Sequence, residues 1–285
     1  MEIKTLTREQ IKEHFPKRAK NSHKGTYGKN VIFASCEEYV GACKIAALGS
    51  LSMRMGSGYT ALALTKTVAN SVSPEIFECI ISLQEEKDGK FYFDKTKVDN
   101  AIQKAQSVAV GMGMGNTEET KKLVKYLLKN FDGALLIDAD GLNSITEEML
   151  LTERKCSLIL TPHIKEFSRL TGFTIDEIKR DNVNLCINYA KKWNANLLLK
   201  SEESVISNGA EVYKTVNSSP ALAKAGSGDF LAGAISALAI SKEPLTACAI
   251  ASQLIAFTAS DLAQKYNENV ILARDIADGV RDFFK

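Results

Sequence analysis

Short apolar runs recur along this chain, and each stops at a cluster of glycine or charged residues before a helical segment begins. Ser107 to Val110 stops at Gly111-Met-Gly113-Met-Gly115-Asn116, and Ala134 to Ile137 stops at Asp138-Ala-Asp140-Gly-Leu-Asn143. Leu158 to Leu160 stops at Thr161-Pro-His163-Ile-Lys-Glu166, and Leu197 to Leu199 at Lys200-Ser201-Glu202-Glu203-Ser204. Val31 to Ser35, Tyr59 to Leu64 and Ile80 to Leu83 read as further strands. Runs this short and this apolar suit strands buried on both faces. Their alternation with helices predicts an α/β fold, a mostly parallel central sheet with helices on both faces. The carboxyl ends of such a sheet share one edge, where ligands bind. The polar clusters are therefore expected to line a single cleft.

The remaining segments fit that frame. Thr7-Arg8-Glu9-Gln10 has the form of a capping box opening a short helix that Pro16 ends. Residues 41 to 55 and 117 to 130 read as helices, and Ser207-Asn208-Gly209 as the turn of a hairpin between 205–206 and 211–216. No linker-like composition breaks the 285 residues, which predicts one domain over 1–285. A net charge of +2 gives no global basic field, so nucleic acid is not the expected partner. Met1 to His14 lacks the apolar core of a signal peptide. The uncharged stretch between Glu243 and Asp261 carries Thr246, Ser252, Gln253, Thr258 and Ser260, which suits a buried helix better than a membrane span. Six scattered cysteines without a Cys-x-x-Cys pair suit buried thiols in a reducing cytoplasm rather than structural zinc.

The most informative stretch runs from Lys224 to Ile240, where Ala225-Gly226-Ser227-Gly228 leads into an apolar helix. Gly226 and Gly228 allow the turn, and the unpaired amides of a helix start attract an anion such as phosphate. A carboxylate at Asp229, beside that anion site, has two readings. It takes a proton from a hydroxyl attacking the phosphate, or it caps the helix. Each polar cluster likewise has a structural alternative. His163 suits a turn after Pro162, Glu166 a helix start favoured by the dipole, and Lys200 a solvated loop. Asp138 and Asp140 suit either a metal or the cap of the next helix, a cap that Asn143 could also supply. The glycines of 111–115 suit tight packing of a turn and do not fit the dinucleotide-binding fingerprint.

His23-Lys-Gly-Thr-Tyr-Gly28, Asp138-Ala-Asp-Gly-Leu-Asn143, Leu160-Thr-Pro-His-Ile-Lys-Glu-Phe167 and Ala225-Gly-Ser-Gly-Asp229 occur in this order across nearly the whole chain. Together they resemble the ADP/ATP-dependent NAD(P)H-hydrate dehydratases, a branch of the ribokinase-like superfamily. The Thr-Pro-His-x-x-Glu element separates this family from related kinases, which more often show Asn at the place of His163. The resemblance implies a ribokinase-like three-layer sandwich. It implies a hydro-lyase that restores NADH or NADPH from the S form of the hydrate (NADHX or NADPHX). ADP or ATP with Mg²⁺ would phosphorylate the C6 hydroxyl, and phosphate would then be eliminated. Carried over residue by residue, Asp229 is the base, and Lys200, Ser201, Glu202, Glu203, Ser204, Gly226, Ser227 and Gly228 hold the nucleotide. Ala42, Gly113, Gly115, His163 and Asp229 contact the hydrate. Glu166 orients Mg²⁺, directly or through water.

The resemblance also implies a homo-oligomer, a tetramer, in the cytoplasm, acting beside a separate epimerase and with no membrane partner. Many relatives carry that epimerase as an N-terminal domain, and the first motif here lies too close to Met1 for one to be expected. Three positions depart from the family pattern. Gly111-Met-Gly-Met-Gly115 stands in place of Gly-Pro-Gly-Leu-Gly, Ser201 in place of glycine, and Gly141 in place of a common alanine. The rival reading is a ribokinase-like small-molecule kinase of the hydroxymethylpyrimidine, thiazole or sugar type, whose product keeps the phosphate. A second rival is a nucleotide-binding sensor, which would have no use for a carboxylate at Asp229.

Overall fold

The computed structural model describes residues 1–51, 55–75 and 78–285. Its strands are β1 (Ile3–Lys4), β2 (Lys29–Phe33), β3 (Tyr59–Leu64), β4 (Ile80–Leu83), β5 (Glu86–Lys87) and β6 (Lys90–Phe91). They continue with β7 (Ser107–Val110), β8 (Ala134–Ile137), β9 (Ser157–Leu160), β10 (Asn196–Leu199), β11 (Val205–Ser207) and β12 (Val212–Lys214). Ten of them form one sheet in the order β1-β12-β11-β10-β9-β8-β7-β2-β3-β4, while β5 and β6 pair as a separate ribbon. Neighbouring strands from β10 to β4 run parallel, and β11 is antiparallel to both its neighbours. The β11–β12 hairpin forms as expected, with Asn208 Oδ1 accepting from the N–H groups of Ala210 and Glu211 at 2.9 and 2.8 Å.

Alternate residues of the central strands feed two cores, one per face. Ile32, Leu62, Ala109, Leu136, Ile159 and Leu198 pack with helices Gly41–Leu51, Ser227–Leu238, Pro244–Lys265 and Ala273–Phe283. Val31, Ala61, Val108, Leu135, Leu158 and Leu197 face the other way, against Lys95–Ile102, Glu118–Asn130, Ile164–Thr171 and Asn182–Lys192. Burial on both faces is why these strands read as continuous apolar runs. Helix Pro244–Lys265 is long and apolar enough to cross a bilayer, yet Leu245 and Ala247 to Ala259 are buried in the protein. That matches the expectation of a core helix. The expected continuation of the Gly41 helix to Met55 runs through residues 52–54, outside the described residues.

The chain order reverses direction across the sheet between β2 and β7, because β3 and β4 extend one way from β2 and β7 to β10 the other. A crevice opens outside the carboxyl ends of strands at such a switch point. Helices Gly41–Leu51 and Ser227–Leu238 sit against this region in unusually close contact. A Cβ on Gly233 would fall 1.9 Å from the Ala46 carbonyl oxygen, and one on Gly49 would fall 2.1 Å from that of Phe230. The buried Ser107 and Ser236 hydroxyls, 3.0 Å apart, tie the second of these helices to β7.

Candidate active site

The turn at Gly226 is the pivot of the site. Gly226 is the N-cap of helix Ser227–Leu238 in the left-handed region, at φ 93°, and supplies no side-chain cap. Asp229 lies in the first turn of that helix and not at its cap. Among the described residues no donor bonds its carboxylate, so helix capping does not account for it. A Cβ on Gly228 would lie 3.7 Å from Lys200 Nζ and 4.0 Å from Asp138 Oδ2. Gly228, in the first turn, therefore lies beside an ammonium–carboxylate pair at the ends of β8 and β10.

Two depressions meet at this turn. One is lined by Ala42, Tyr39, Gly113, Asp140, Gly226 and Asp229. The other is lined by Lys200, Ser201, Ser204, Ser227 and Gly228, with an apolar wall from Leu222, Leu231, Ile255 and Ala256. The helix start thus separates a small-residue cleft from a half-apolar, half-hydroxyl pocket. Ser227 Oγ is shielded from solvent and has no hydrogen-bond partner among the described residues. An unpaired buried hydroxyl at a helix N-terminus suits an anion, and a nucleoside phosphate fits it.

Charge in the site is concentrated and partly shared. Asp138, only 2% exposed, accepts from the Lys200 ammonium at 2.7 Å and from the Thr161 hydroxyl at 2.8 Å. Burial works against the Lys200 charge, and the carboxylates of Asp138 and Glu166 outweigh it, holding the ammonium above its ordinary value. Burial pushes the Asp229 carboxyl up to about 6; the Asp138 charge adds to the rise and Lys200 opposes it. Glu166 is pushed up to about 7 by burial, against the pull of Lys200.

The end of β9 completes this edge. His163 and Glu166 form a capping box on helix Ile164–Thr171. The His163 N–H donates to Glu166 Oε2 at 2.8 Å, and the Glu166 N–H donates to His163 Nδ1 at 3.1 Å. An accepting Nδ1 requires the neutral ring, consistent with a His163 pKa lowered by burial and by the Lys200 charge. His163 also bridges Lys200 in parallel register, and the Lys200 N–H donates to the Pro162 carbonyl at 2.8 Å. His163 and Asp229 therefore flank the same lysine.

The structure brings together most of the candidate residues. Ala42, Gly113 and Asp229 share the first cleft, and Gly115 borders it through an N–H that donates to Asp140 Oδ2 at 2.8 Å. Lys200, Ser201, Ser204, Ser227 and Gly228 share the second, and Gly226 lines the first and adjoins the second through Ser227. Glu202 and Glu203 are exposed on the loop after β10, and Glu203 pairs with Lys214 at 2.5 Å. Two alternatives fall away. Asp138 occupies an N-cap position but makes no cap hydrogen bond with its side chain, and Asn143 ends the short helix Ala139–Asn143 instead of opening it. The apolar wall of the second pocket escaped the sequence reading, because Leu222 and Ile255 lie in segments that look like ordinary core.

A profile of the NAD(P)H-hydrate dehydratase family matches residues 30–281. The bifunctional NAD(P)H-hydrate repair enzyme Nnr of Moorella thermoacetica is 31% identical over 280 residues, covering 96% of this chain and 52% of that protein. The chain spans about half the length of such bifunctional relatives. The ADP-dependent (S)-NAD(P)H-hydrate dehydratase of Bacillus subtilis is 29% identical over 285 residues, covering 98% of this chain and 96% of that one. The crystal structure of the ADP/ATP-dependent NAD(P)H-hydrate dehydratase from Bacillus subtilis, co-crystallised with ATP and Mg²⁺, superposes with a TM-score of 0.84 at 25% identity, covering 100% and 98% of the two chains. With fold, site and profile in agreement, this chain belongs to the NAD(P)H-hydrate dehydratase family, within the ribokinase-like fold.

Proposed function

We propose that the protein restores NADH or NADPH from the S form of the hydrated cofactor, using ADP or ATP to phosphorylate the C6 hydroxyl before eliminating it. The carrying observation is the placement of Asp229 where the small-residue cleft and the hydroxyl-lined pocket meet, with no protein donor on its carboxylate among the described residues. The hydrate occupies the cleft at Ala42 and Gly113 with Gly115 at its border, and His163, which lines neither depression, contacts it from the end of β9. The nucleotide lies in the second pocket, its base against the Leu222–Ile255 wall and its phosphates at Ser227, Gly228 and Lys200. Ser201 to Ser204 border it through the hydroxyls, while Glu202 and Glu203 contribute through the loop backbone.

With its carboxyl titrating near 6, Asp229 is ionised at neutral pH and accepts the proton of the C6 hydroxyl as that oxygen attacks the terminal phosphorus. The helix amides and the Lys200 ammonium stabilise the charge that develops on the phosphoryl oxygens. The bond from phosphorus to the nucleotide breaks, leaving AMP from ADP or ADP from ATP. Hydroxide leaves poorly and phosphate well. The ring nitrogen lone pair then expels phosphate from C6, and loss of the C5 proton closes the double bond.

Mg²⁺ fits this site in a limited way. Among the described residues no cluster of three or more potential ligands could hold it. Glu166 is a carboxylate that burial pushes up to about 7 against Lys200 and Arg169, and Mg²⁺ usually takes one or two carboxylates with phosphates and water for the rest. Glu166 would hold it, directly or through water, and the ion would offset negative charge on the phosphates. The same reading treats residues 1–285 as one dehydratase domain and expects a cytoplasmic tetramer that works beside an epimerase activity.

The test is incubation with hydrated NADH or NADPH plus ADP or ATP and Mg²⁺, following recovery of reduced-nicotinamide absorbance. Release of inorganic phosphate in step with that absorbance is expected. A stable phosphorylated product would favour the kinase reading instead.

A further inference from the structure

The Asp138–Asp140 turn carries a second function-bearing carboxylate. Ala139, between the two aspartates, sits in the left-handed region at φ 46°, uncommon for a residue with a Cβ. Strain of this kind persists only where the surroundings hold it, and it gathers at functional sites. Its effect here is to separate two neighbouring carboxylates. Asp138 goes to Lys200 and Thr161, while Asp140 goes to the Gly115 N–H and to the cleft wall beside Asp229.

Gly115 ends a loop with three positive-φ glycines, Gly111, Gly113 and Gly115. The family pattern fixes one φ of this loop with a proline, where this chain has Met112. Met112 is fully buried, so its side chain anchors the middle of the loop. The far end hangs on the 2.8 Å bond to Asp140 Oδ2 and on the Thr120 hydroxyl, which donates to the Gly115 carbonyl at 2.9 Å. Gly113 on this loop and Asp229 on the facing helix line the same cleft.

We propose that Asp140 is a positioning residue of the dehydration reaction: it clamps the 111–115 loop that walls the hydrate cleft, and it puts a second carboxylate into the cleft that Asp229 lines. The charged groups that act on Asp229 are Asp138 and Asp140 from this turn and Lys200 from the end of β10, and Glu38 lines the same cleft. Burial raises the Asp229 pKa most, the Asp138 charge acts next even though Lys200 bonds it, and Asp140 adds the smallest share. Asp140 has no cation bonded to it among the described residues, and its charge adds to that of Asp138 at Asp229.

This inference deepens the dehydratase reading and rests on it for its kinetic half; the clamp half stands without it. Asp140→Asn and Asp140→Ala separate the two roles, because the amide oxygen of Asn can still accept from Gly115 while Ala cannot. In Asp140→Asn, the KM for the hydrate should hold and the acid limb of kcat/KM should move down, the direction expected when a like charge leaves the cleft. In Asp140→Ala the same shift should appear together with a KM for the hydrate raised about 10-fold, the KM for nucleotide being unchanged. Hydrogen exchange of the 111–116 segment should quicken at least about 10-fold in Asp140→Ala and stay near wild type in Asp140→Asn. An Asp140→Asn acid limb superposed on wild type would overturn the charge role. Wild-type exchange and KM in Asp140→Ala would overturn the clamp. If the wild-type protein fails to turn over the hydrate at all, the dehydratase reading falls, while the exchange measurement still decides the clamp.

Discussion

Asp229 is a carboxylate placed at a cost to the fold. Its pKa rises from 3.8 to about 6 through burial first, then the charges of Asp138 and Asp140, with Lys200 opposing. For an acid whose folded-state pKa is raised, the stability linked to protonation is complete below 3.8 and is lost as pH rises through about 6. Replacing it with asparagine removes that pH-dependent loss. Asp229→Asn should therefore be more thermostable than wild type at pH 8, by something on the order of 1–2 kcal/mol, and no more stable at pH 3.5. The same variant should lose turnover by about 10²–10⁴-fold while keeping nucleotide affinity, since a general base contributes that much. Scanning calorimetry at the two pH values, beside kinetics and titration calorimetry, measures all three. An active Asp229→Asn protein with unchanged stability would remove both the base and the strain. In the wild type, kcat/KM should fall about tenfold per pH unit below an inflection near 6, because protonated Asp229 cannot accept the hydroxyl proton.

At the scale of elements, the strands that mattered most were also the most legible. β7, β8, β9 and β10 are four-residue runs, almost wholly buried, and burial on both faces leaves an unbroken apolar signature. β1, two exposed residues long, and the β5–β6 ribbon carry no such signature and went unread. Asp229, Gly226 and the β-strand ends were legible because a glycine turn, a charge and a helix start leave local marks. The apolar wall of the second pocket was not, since Leu222, Leu231 and Ile255 come from three separate segments and differ in no local way from core. Packing of the two helices behind the site was equally hidden: only the fold shows that Gly49 and Gly233 are where they touch. A methyl group at Gly233 would collide with the Ala46 backbone, for which there is no flexible neighbour to yield. Gly233→Ala should destabilise the protein by about 1–3 kcal/mol. It should also lower kcat/KM, because these helices carry Asp229 on one side and Ala42 on the other. Denaturant unfolding beside steady-state kinetics checks this. A fully stable Gly233→Ala protein would mean that the helices can part without consequence.

On the scale of the whole molecule, the parallel sheet gathers onto one edge residues as far apart in sequence as Ala42 and Asp229. The second pocket draws on the loop after β10, the segment before Ser227 and the long helix Pro244–Lys265. A ligand that joins these segments binds the folded state alone and must stabilise it by mass action. At about 100 times its Kd, ADP or ATP with Mg²⁺ should raise Tm by roughly 5–10 °C, from ~2.7 kcal/mol of binding energy in a chain of this size. Chelating the Mg²⁺ should shrink that shift, if Glu166 and the phosphates share the ion. Lys200→Ala is the sharper test, and its baseline has to be read separately from its response. Removing the ammonium leaves Asp138, only 2% exposed, without its ionic partner, so Tm without ligand should fall. The response to nucleotide is a different quantity. Should Lys200 reach the phosphates, the ligand-induced rise in Tm must shrink as well, at every nucleotide concentration. An undiminished rise on top of a lowered baseline would show that Lys200 serves Asp138 alone, and that the helix amides and Ser227 hold the phosphates without it.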